Sequence, residues 1–200
     1  MQLDFYFAID SRYSYLAAMQ VPEIEKEFGC TIGWKPLSFQ ALMDARGDDP
    51  YDGRKLIGQY DPAYRDKDVH RWADFYEFPL IDPDWEGNWH RIALAATASL
   101  RFEAGQAMSF ALFQAVMQDR ATPKTDADLA AIADRAGIDG KKLVAAIDEP
   151  ETKALFDKHL ADARAIGVFG VPTFAVGTEI FWGNDRIVLL KHHLKSRVVL

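Results

Sequence analysis

The stretch LDFYFAIDSRYSYL, residues 3–16, predicts that the fold begins with a strand that leads directly into a helix. Its first half is rich in apolar and aromatic residues, as in a buried strand, and helical spacing begins at about Tyr13. At the start of a helix, free backbone N–H groups and the helix dipole favour an anion. Ser11 and Ser14 lie at this junction, so we expect it to hold a negatively charged ligand atom.

Two interpretations of Ser11 and Ser14 are open at this point. A serine before a helix commonly caps it by accepting a hydrogen bond from a backbone N–H, which is worth ~0.5–2 kcal/mol. The hydroxyl can also donate to an anion. The chain has one cysteine, Cys30, and therefore no Cys-x-x-Cys pair and no internal disulfide.

Strand patterns occur at both ends of the chain. Residues 31–37 follow the helical segment 13–28 as a second strand, which predicts a parallel βαβ unit. Residues 173–182 predict a hairpin around a Gly-Thr turn, and a last helix follows from about Arg186. Neither end is large enough to bury its own faces, so we expect both to join in one mixed sheet.

A helical block separates these two ends. The predicted helices are 66–76, 90–103, 106–118, 127–136, 141–147 and 151–165. The glycines expected to end helices are Gly105, Gly137 and Gly167. This order of elements predicts an α/β fold, in which residues 1–40 and 167–200 form a sheet-containing domain and residues 41–166 form an inserted α-helical domain.

The composition narrows the classes of partner. The chain has 200 residues, 49% of them hydrophobic and 26% charged, with a net charge of −7. Nucleic-acid binding usually needs a basic face, so we expect small-molecule partners and no nucleic acid. No stretch matches a membrane span or a signal peptide, and the single Cys30 fits a reducing compartment, so the expected location is cytoplasmic.

Two further motifs predict ligand contacts. In GVFGVPTF, the proline belongs at a strand start, and a cis Val171–Pro172 bond would leave the Val171 backbone free to pair with an extended, peptide-like ligand. In FWGNDR, Asp185 can pair with a ligand ammonium group. The plain interpretation of the second motif is that Asn184 or Asp185 caps the last helix, and both roles are compatible.

Other kinds of site have weaker support. The histidines lack ligand-like spacing with cysteine or acidic residues, so no metal site is predicted. A G-x-S-x-G motif for Ser-His-Asp catalysis is also missing from the sequence. Trp85 and Trp89 are flanked by acidic and loop residues, and we expect them to line a substrate pocket.

Together the motifs resemble those of the 2-hydroxychromene-2-carboxylate isomerases, relatives of the kappa-class glutathione transferases in the DsbA-like thioredoxin superfamily. The stretches that carry the resemblance are DFYF (4–7), SRYSYLA (11–17), RWA (71–73), GVPTF (170–174) and FWGNDR (181–186). Their order and spacing match from end to end. Ser11-x-x-Ser14 lies where thioredoxin-like folds carry Cys-x-x-Cys.

The resemblance implies a thioredoxin-like domain interrupted by a helical domain, usually dimeric, that binds glutathione and a small aromatic carboxylate. Ser11 would stabilise the glutathione thiolate. Val171, before a cis Pro172, would pair with the tripeptide backbone, and Asn184 and Asp185 would hold its γ-glutamyl end. The thiolate would add reversibly to 2-hydroxychromene-2-carboxylate, and its release after ring opening and rotation would give trans-o-hydroxybenzylidenepyruvate.

Two positions depart from the family pattern. Proline usually follows the catalytic serine, whereas this chain has Arg12, which could add positive charge beside the thiolate or contact a substrate carboxylate. The place of a family lysine that meets the glycine carboxylate of glutathione is taken by Asp66. The residues expected to contact the organic substrate are Arg12, Tyr13, Trp85 and Trp89.

Three functions are compatible with the sequence. The first is a glutathione-dependent isomerase of aromatic degradation. The second is a kappa-like glutathione transferase acting on electrophiles, which would consume glutathione. The third is a redox-inactive thioredoxin-like module that binds extended peptides. The Asn184 and Asp185 pair favours the first two, because a peptide binder does not need it.

Overall fold

The fold is built on a mixed β-sheet. The structure is a computed structural model that describes residues 3–46, 58 and 61–198. The strands are β1 Leu3–Phe7, β2 Ile32–Pro36, β3 Thr173–Val176 and β4 Glu179–Trp182. Their order in the sheet is β2-β1-β3-β4; β1 and β2 are parallel, and the other two pairs are antiparallel. The predicted union of both chain ends in one mixed sheet is confirmed.

The connection between β1 and β2 contains two helices, α1 (Arg12–Ala18) and α2 (Val21–Phe28). The prediction of one continuous helix was wrong, because Pro22 has no N–H to donate to the preceding turn and instead occupies the first turn of a new helix. As predicted, α2 ends before Gly29, whose φ of 58° is the left-handed conformation that glycine adopts readily.

The other described helices lie between β2 and β3 and after β4. They are α3 Phe39–Arg46, α4 Pro62–Tyr76, α5 Trp89–Leu100, α6 Gly105–Met117, α7 Asp126–Arg135, α8 Gly140–Ile147, α9 Pro150–Ala165 and α10 Ile187–Val198. Gly137 and Gly167 follow helices with positive φ, as predicted. Gly105 begins α6 instead of ending α5. A Cβ at Gly105 would lie 2.2 Å from a methyl carbon of Leu100, so glycine there permits the close approach of the two helices.

The helical block packs on the sheet through aromatic side chains. Phe5, Phe7 and Trp34 contact one another with ring centroids 5.1–5.4 Å apart. On the helical side, Phe7 lies 5.7 Å from Phe113 and Trp34 lies 5.2 Å from Phe110, both in α6. One continuous core therefore joins the sheet to the helices. The exact limits of the two expected domains stay a prediction.

The sheet brings three connections to one end. Tyr6 pairs with Thr173, and Thr173 pairs with Trp182. The end of β1, the start of β3 and the end of β4 therefore lie side by side. The three predicted ligand motifs are attached to these strand ends, and they contain Ser11, Val171-Pro172 and Asn184-Asp185.

Candidate functional site

Ser11 is the N-cap of α1. Its Oγ accepts a hydrogen bond of 3.1 Å from the Ser14 backbone N–H, so the capping role is observed. A hydroxyl that accepts in this way keeps its own proton, which it can donate to a second group. Ser11 is only half-buried, so its hydroxyl can serve an external anion while it caps the helix.

Ser14 has a different environment from Ser11. Its side chain is fully buried, and its Oγ accepts a hydrogen bond of 3.4 Å from the Ala8 N–H. Ser14 therefore fixes the turn that connects β1 to α1. Of the two serines predicted at this junction, Ser11 alone is placed to meet a ligand.

The Val171–Pro172 peptide bond is cis. The loop around it is held by a hydrogen bond of 2.9 Å from the Gly183 N–H to the Pro172 carbonyl, and by one of 2.7 Å from the Thr173 hydroxyl to the Gly170 carbonyl. Among the described residues, nothing pairs with the N–H or the carbonyl of Val171. These two groups are available to an extended ligand, as strand addition requires.

The motif after β4 leads into α10 through a 3-10 turn, Asn184–Arg186. Asn184 is buried, and within the described part of the chain its Nδ2 has no hydrogen-bond partner. The Tyr76 hydroxyl donates to its carbonyl at 3.4 Å. The Asp185 carboxylate is paired with Arg186 and is 38% exposed, so it can reach a ligand group. The two residues differ in accessibility, although both lie at the start of the last helix.

Arg12 does not present a free cation to the Ser11 turn. Its guanidinium donates to the carboxylates of Asp66 and Asp82, each at 2.6 Å, and the side chain is 14% exposed. It also lies 5.7 Å from the centroid of the Trp85 ring. Asp66 and Asp82 come from α4 and from the loop that precedes α5. Arg12 therefore ties the helical block to the first turn of α1.

Tyr13, Trp85 and Trp89 have distinct surroundings. The Tyr13 hydroxyl donates to Asp68 at 2.9 Å; burial and this bond raise the pKa of Tyr13. Trp85 is 48% exposed beside Arg12, whereas the Trp89 indole N–H donates to the Trp85 carbonyl at 3.2 Å. Trp85 therefore offers a ring surface near Arg12, and Trp89 supports it.

Asp10 and Cys30 are further titratable groups that bear on the site. Asp10 directly precedes Ser11, and burial raises its pKa to about 6. Cys30 lies before β2, whose start is at the opposite end of the sheet from Ser11 because β1 and β2 are parallel. Burial raises the pKa of the Cys30 thiol. A thiolate beside Ser11 must therefore come from a ligand.

Sequence reasoning missed one group of side chains at this site. A groove of about 410 Å³ opens next to the partners of Arg12, and it is lined by Asp66, Lys67, His70, Arg71, Asp74 and Asp82. Arg12 is separated from Asp66 by 54 residues and from Asp82 by 70. No local spacing could have indicated such contacts.

A family model for the DSBA-like thioredoxin domain matches residues 2–195. The chain belongs to the DSBA-like thioredoxin family. In this chain Ser11 caps α1 and Ser14 lies in its first turn. The described residues contain no cluster of His, Cys, Asp or Glu arranged to hold a metal ion. None of the helices that the structure describes combines the length and apolarity needed to cross a membrane.

Three known proteins are similar over nearly the full length of this DSBA-like chain. A 2-hydroxychromene-2-carboxylate isomerase of Sphingobium xenophagum is 29% identical over 194 residues, which cover 96% of this chain and 97% of the relative. An isomerase of the same name from Pseudomonas sp. strain C18 is also 29% identical, and the match covers 95% of this chain and 88% of the relative. A solved structure of a 2-hydroxychromene-2-carboxylate isomerase superposes with a TM-score of 0.85 at 26% identity, covering 99% and 96% of the two chains.

Proposed function

We propose that the chain is a glutathione-dependent isomerase. Its substrate would be 2-hydroxychromene-2-carboxylate or a related intermediate of aromatic degradation, and the product would be trans-o-hydroxybenzylidenepyruvate. The observation that carries the proposal is the Ser11 hydroxyl, which caps α1 and keeps a proton to donate at the helix N-terminus. The names of the relatives and of the similar structure support the isomerase part of this proposal and its substrate.

The residues present fit a glutathione molecule. A tripeptide needs a backbone edge to pair with, and Val171 offers an N–H and a carbonyl that the described residues leave unpaired. Its γ-glutamyl ammonium needs a carboxylate, and Asp185 is partly exposed close to that edge. Its sulfur needs a donor, and Ser11 supplies one. Asn184 has a buried amide nitrogen to which the described residues give no partner, and the γ-glutamyl carboxylate would supply one.

When bound, glutathione supplies a thiolate nucleophile that adds reversibly to the substrate. Ser11 donates a hydrogen bond to the sulfur. The positive end of the α1 helix dipole stabilises the negative charge at the same position. Val171 and Asp185 hold the tripeptide at two separate points, so that the sulfur is oriented towards Ser11. Trp85 provides the exposed aromatic surface for the ring of the substrate.

The proposal is tested by glutathione calorimetry followed by a turnover assay on 2-hydroxychromene-2-carboxylate, with free glutathione counted before and after. We expect binding, formation of the trans isomer and unchanged total glutathione. Loss of glutathione in proportion to turnover would establish the transferase instead. Binding of extended peptides with neither glutathione binding nor turnover would establish the peptide-binding module.

A further inference from the structure

The groove beside Arg12 contains a histidine held by a carboxylate. His70 Nε2 lies 3.3 Å from Asp82 Oδ2, while Asp82 Oδ1 accepts from Arg12 at 2.6 Å. Partial burial alone would raise the pKa of Asp82, but the hydrogen bonds from Arg12 and His70 lower it, so this carboxylate is ionised at neutral pH. An ionised carboxylate only accepts hydrogen bonds, and Nε2 is therefore the protonated nitrogen of the neutral ring.

This arrangement orients the imidazole for proton transfer. With Nε2–H directed at Asp82, Nδ1 of His70 carries a lone pair and can take up a proton. The His70 side chain is 41% exposed, so the ring is accessible in the groove. One carboxylate links it to Arg12, the residue directly after Ser11. A base that is oriented by a carboxylate, and that is connected through Asp82 and Arg12 to the turn at Ser11, meets the first geometric requirement for an acid–base catalyst.

The charges around His70 are balanced. The charged groups that line the groove with His70 are Asp66, Lys67, Arg71 and Asp74 of α4 and Asp82 of the loop before α5, and Arg12 of α1 is paired with two of these carboxylates. Three carboxylates and three permanent cations therefore lie in or next to the groove.

We propose that His70 is the acid–base residue that opens the ring of the substrate, an inference that rests on the proposed function. Neutral His70 takes the proton of the hemiketal hydroxyl while the bond between the hemiketal carbon and the ring oxygen breaks. The carbon becomes a ketone, and the ring oxygen leaves with the bonding electron pair as a phenolate. The imidazolium then returns the same proton to the phenolate oxygen, so no proton is gained or lost.

The test compares wild type with His70→Gln and His70→Ala in the glutathione-dependent turnover assay. A general acid–base group contributes about 10²–10⁴-fold to rate, so kcat should fall by at least about 10²-fold in both variants. Added imidazole should restore activity to His70→Ala by about tenfold, and should have little effect on wild type or on the reaction without enzyme. His192→Gln, at an exposed position of α10, is the matched control and should retain wild-type kcat.

A second measurement does not depend on turnover. In NMR spectra recorded without glutathione, the imidazole resonance that is missing from His70→Gln should shift when the product is added to wild type. Glutathione affinity by calorimetry should be the same in wild type and His70→Gln, because His70 is assigned to the organic substrate.

The outcomes separate the two proposals. Active wild type with unchanged kcat in His70→Gln, or a large loss that imidazole does not restore in His70→Ala, would overturn the role of His70 alone. Wild type that does not turn over the chromene would overturn the proposed function and this role with it. A resonance that does not shift when the product is added would show that His70 does not contact the substrate.

Discussion

The candidate site has two sides that are built in different ways. The sheet side, made of Ser11, Val171 and Asn184-Asp185, offers backbone groups, one hydroxyl and one partly exposed carboxylate at strand ends. The helical side consists of charged and aromatic side chains: Arg12, its partners Asp66, Asp82 and Trp85, and His70, which contacts Asp82. Under the proposed function, the sheet side takes the peptide-like thiol, and the helical side takes the aromatic substrate through Trp85 and His70.

This contrast assigns the stabilisation of the thiolate to the sheet side. Arg12 is the cation nearest to Ser11 in sequence, but two carboxylates neutralise it. Burial raises the pKa of Asp10, on the other side of Ser11, to about 6, and a carboxyl supplies no positive charge in either protonation state. The attraction for a sulfur anion must then come from the α1 N-terminus and the Ser11 hydroxyl.

The largest expected effect is that of Ser11→Ala on catalysis. One donor to an anion in a pre-organised site is worth ~2.7–4 kcal/mol, so kcat should fall about 10²–10³-fold, with little change in glutathione affinity. Steady-state kinetics and calorimetry measure both quantities. Ser11→Thr keeps a hydroxyl and should retain most activity. Equal kcat in Ser11→Ala and Ser14→Ala would leave Ser11 with the capping role alone.

A buried, uncharged histidine predicts that the free energy of unfolding depends on pH. His159 of α9 is buried, and desolvation together with nearby Lys35 lowers its pKa to about 4, although a hydrogen bond to the Pro36 backbone opposes the shift. Between about pH 6.5 and 4 the unfolded chain binds a proton that the folded chain does not. Stability from this residue is therefore complete above pH 6.5 and is lost on acidification, by about 3 kcal/mol at pH 4.

Urea unfolding of wild type and His159→Gln at pH 7, 5.5 and 4 measures this contribution. The difference between the two proteins should change with pH in the direction stated, whereas His192→Gln should follow wild type throughout. The raised pKa of Asp10 acts in the opposite direction between about pH 4 and 6, and comparison of variants with wild type removes it. A pH-independent difference would show that burial does not suppress protonation of His159.

A smaller effect is expected from Asp185, which holds the γ-glutamyl end of glutathione in the proposed complex. Asp185→Asn removes a charge-assisted bond to the ligand ammonium without touching the sulfur, so the Kd for glutathione should rise about tenfold, or ~1.4 kcal/mol, at unchanged kcat. Asp157→Asn, at an exposed position of α9, is the matched control. Unchanged affinity by calorimetry would mean that Asp185 does not bind the ligand and serves only as a cap at the start of the last helix.

The sheet side was largely predictable from the sequence because its signals are local. The cap at Ser11, the proline before β3 and the turn after β4 are each decided by a few neighbouring residues. The helical side was not predictable. The pairing of Arg12 with Asp66 and Asp82 depends on how a helix and a loop, 54 and 70 residues away, pack on α1. The split between α1 and α2 was missed because the apolar spacing continues across Pro22.

The central claim is that Ser11 and the α1 N-terminus, rather than Arg12, stabilise the thiolate. The direct test is a pH titration of the thiolate ultraviolet absorbance of bound glutathione in wild type, Ser11→Ala and Arg12→Ala. A free thiol has a pKa of ~8.5, and helix N-termini lower it to ~3.5–7.5. We expect a lowered thiol pKa in wild type and in Arg12→Ala, and a pKa closer to the free value in Ser11→Ala. A wild-type complex that titrates like free glutathione, or a shift that disappears only in Arg12→Ala, would contradict the claim.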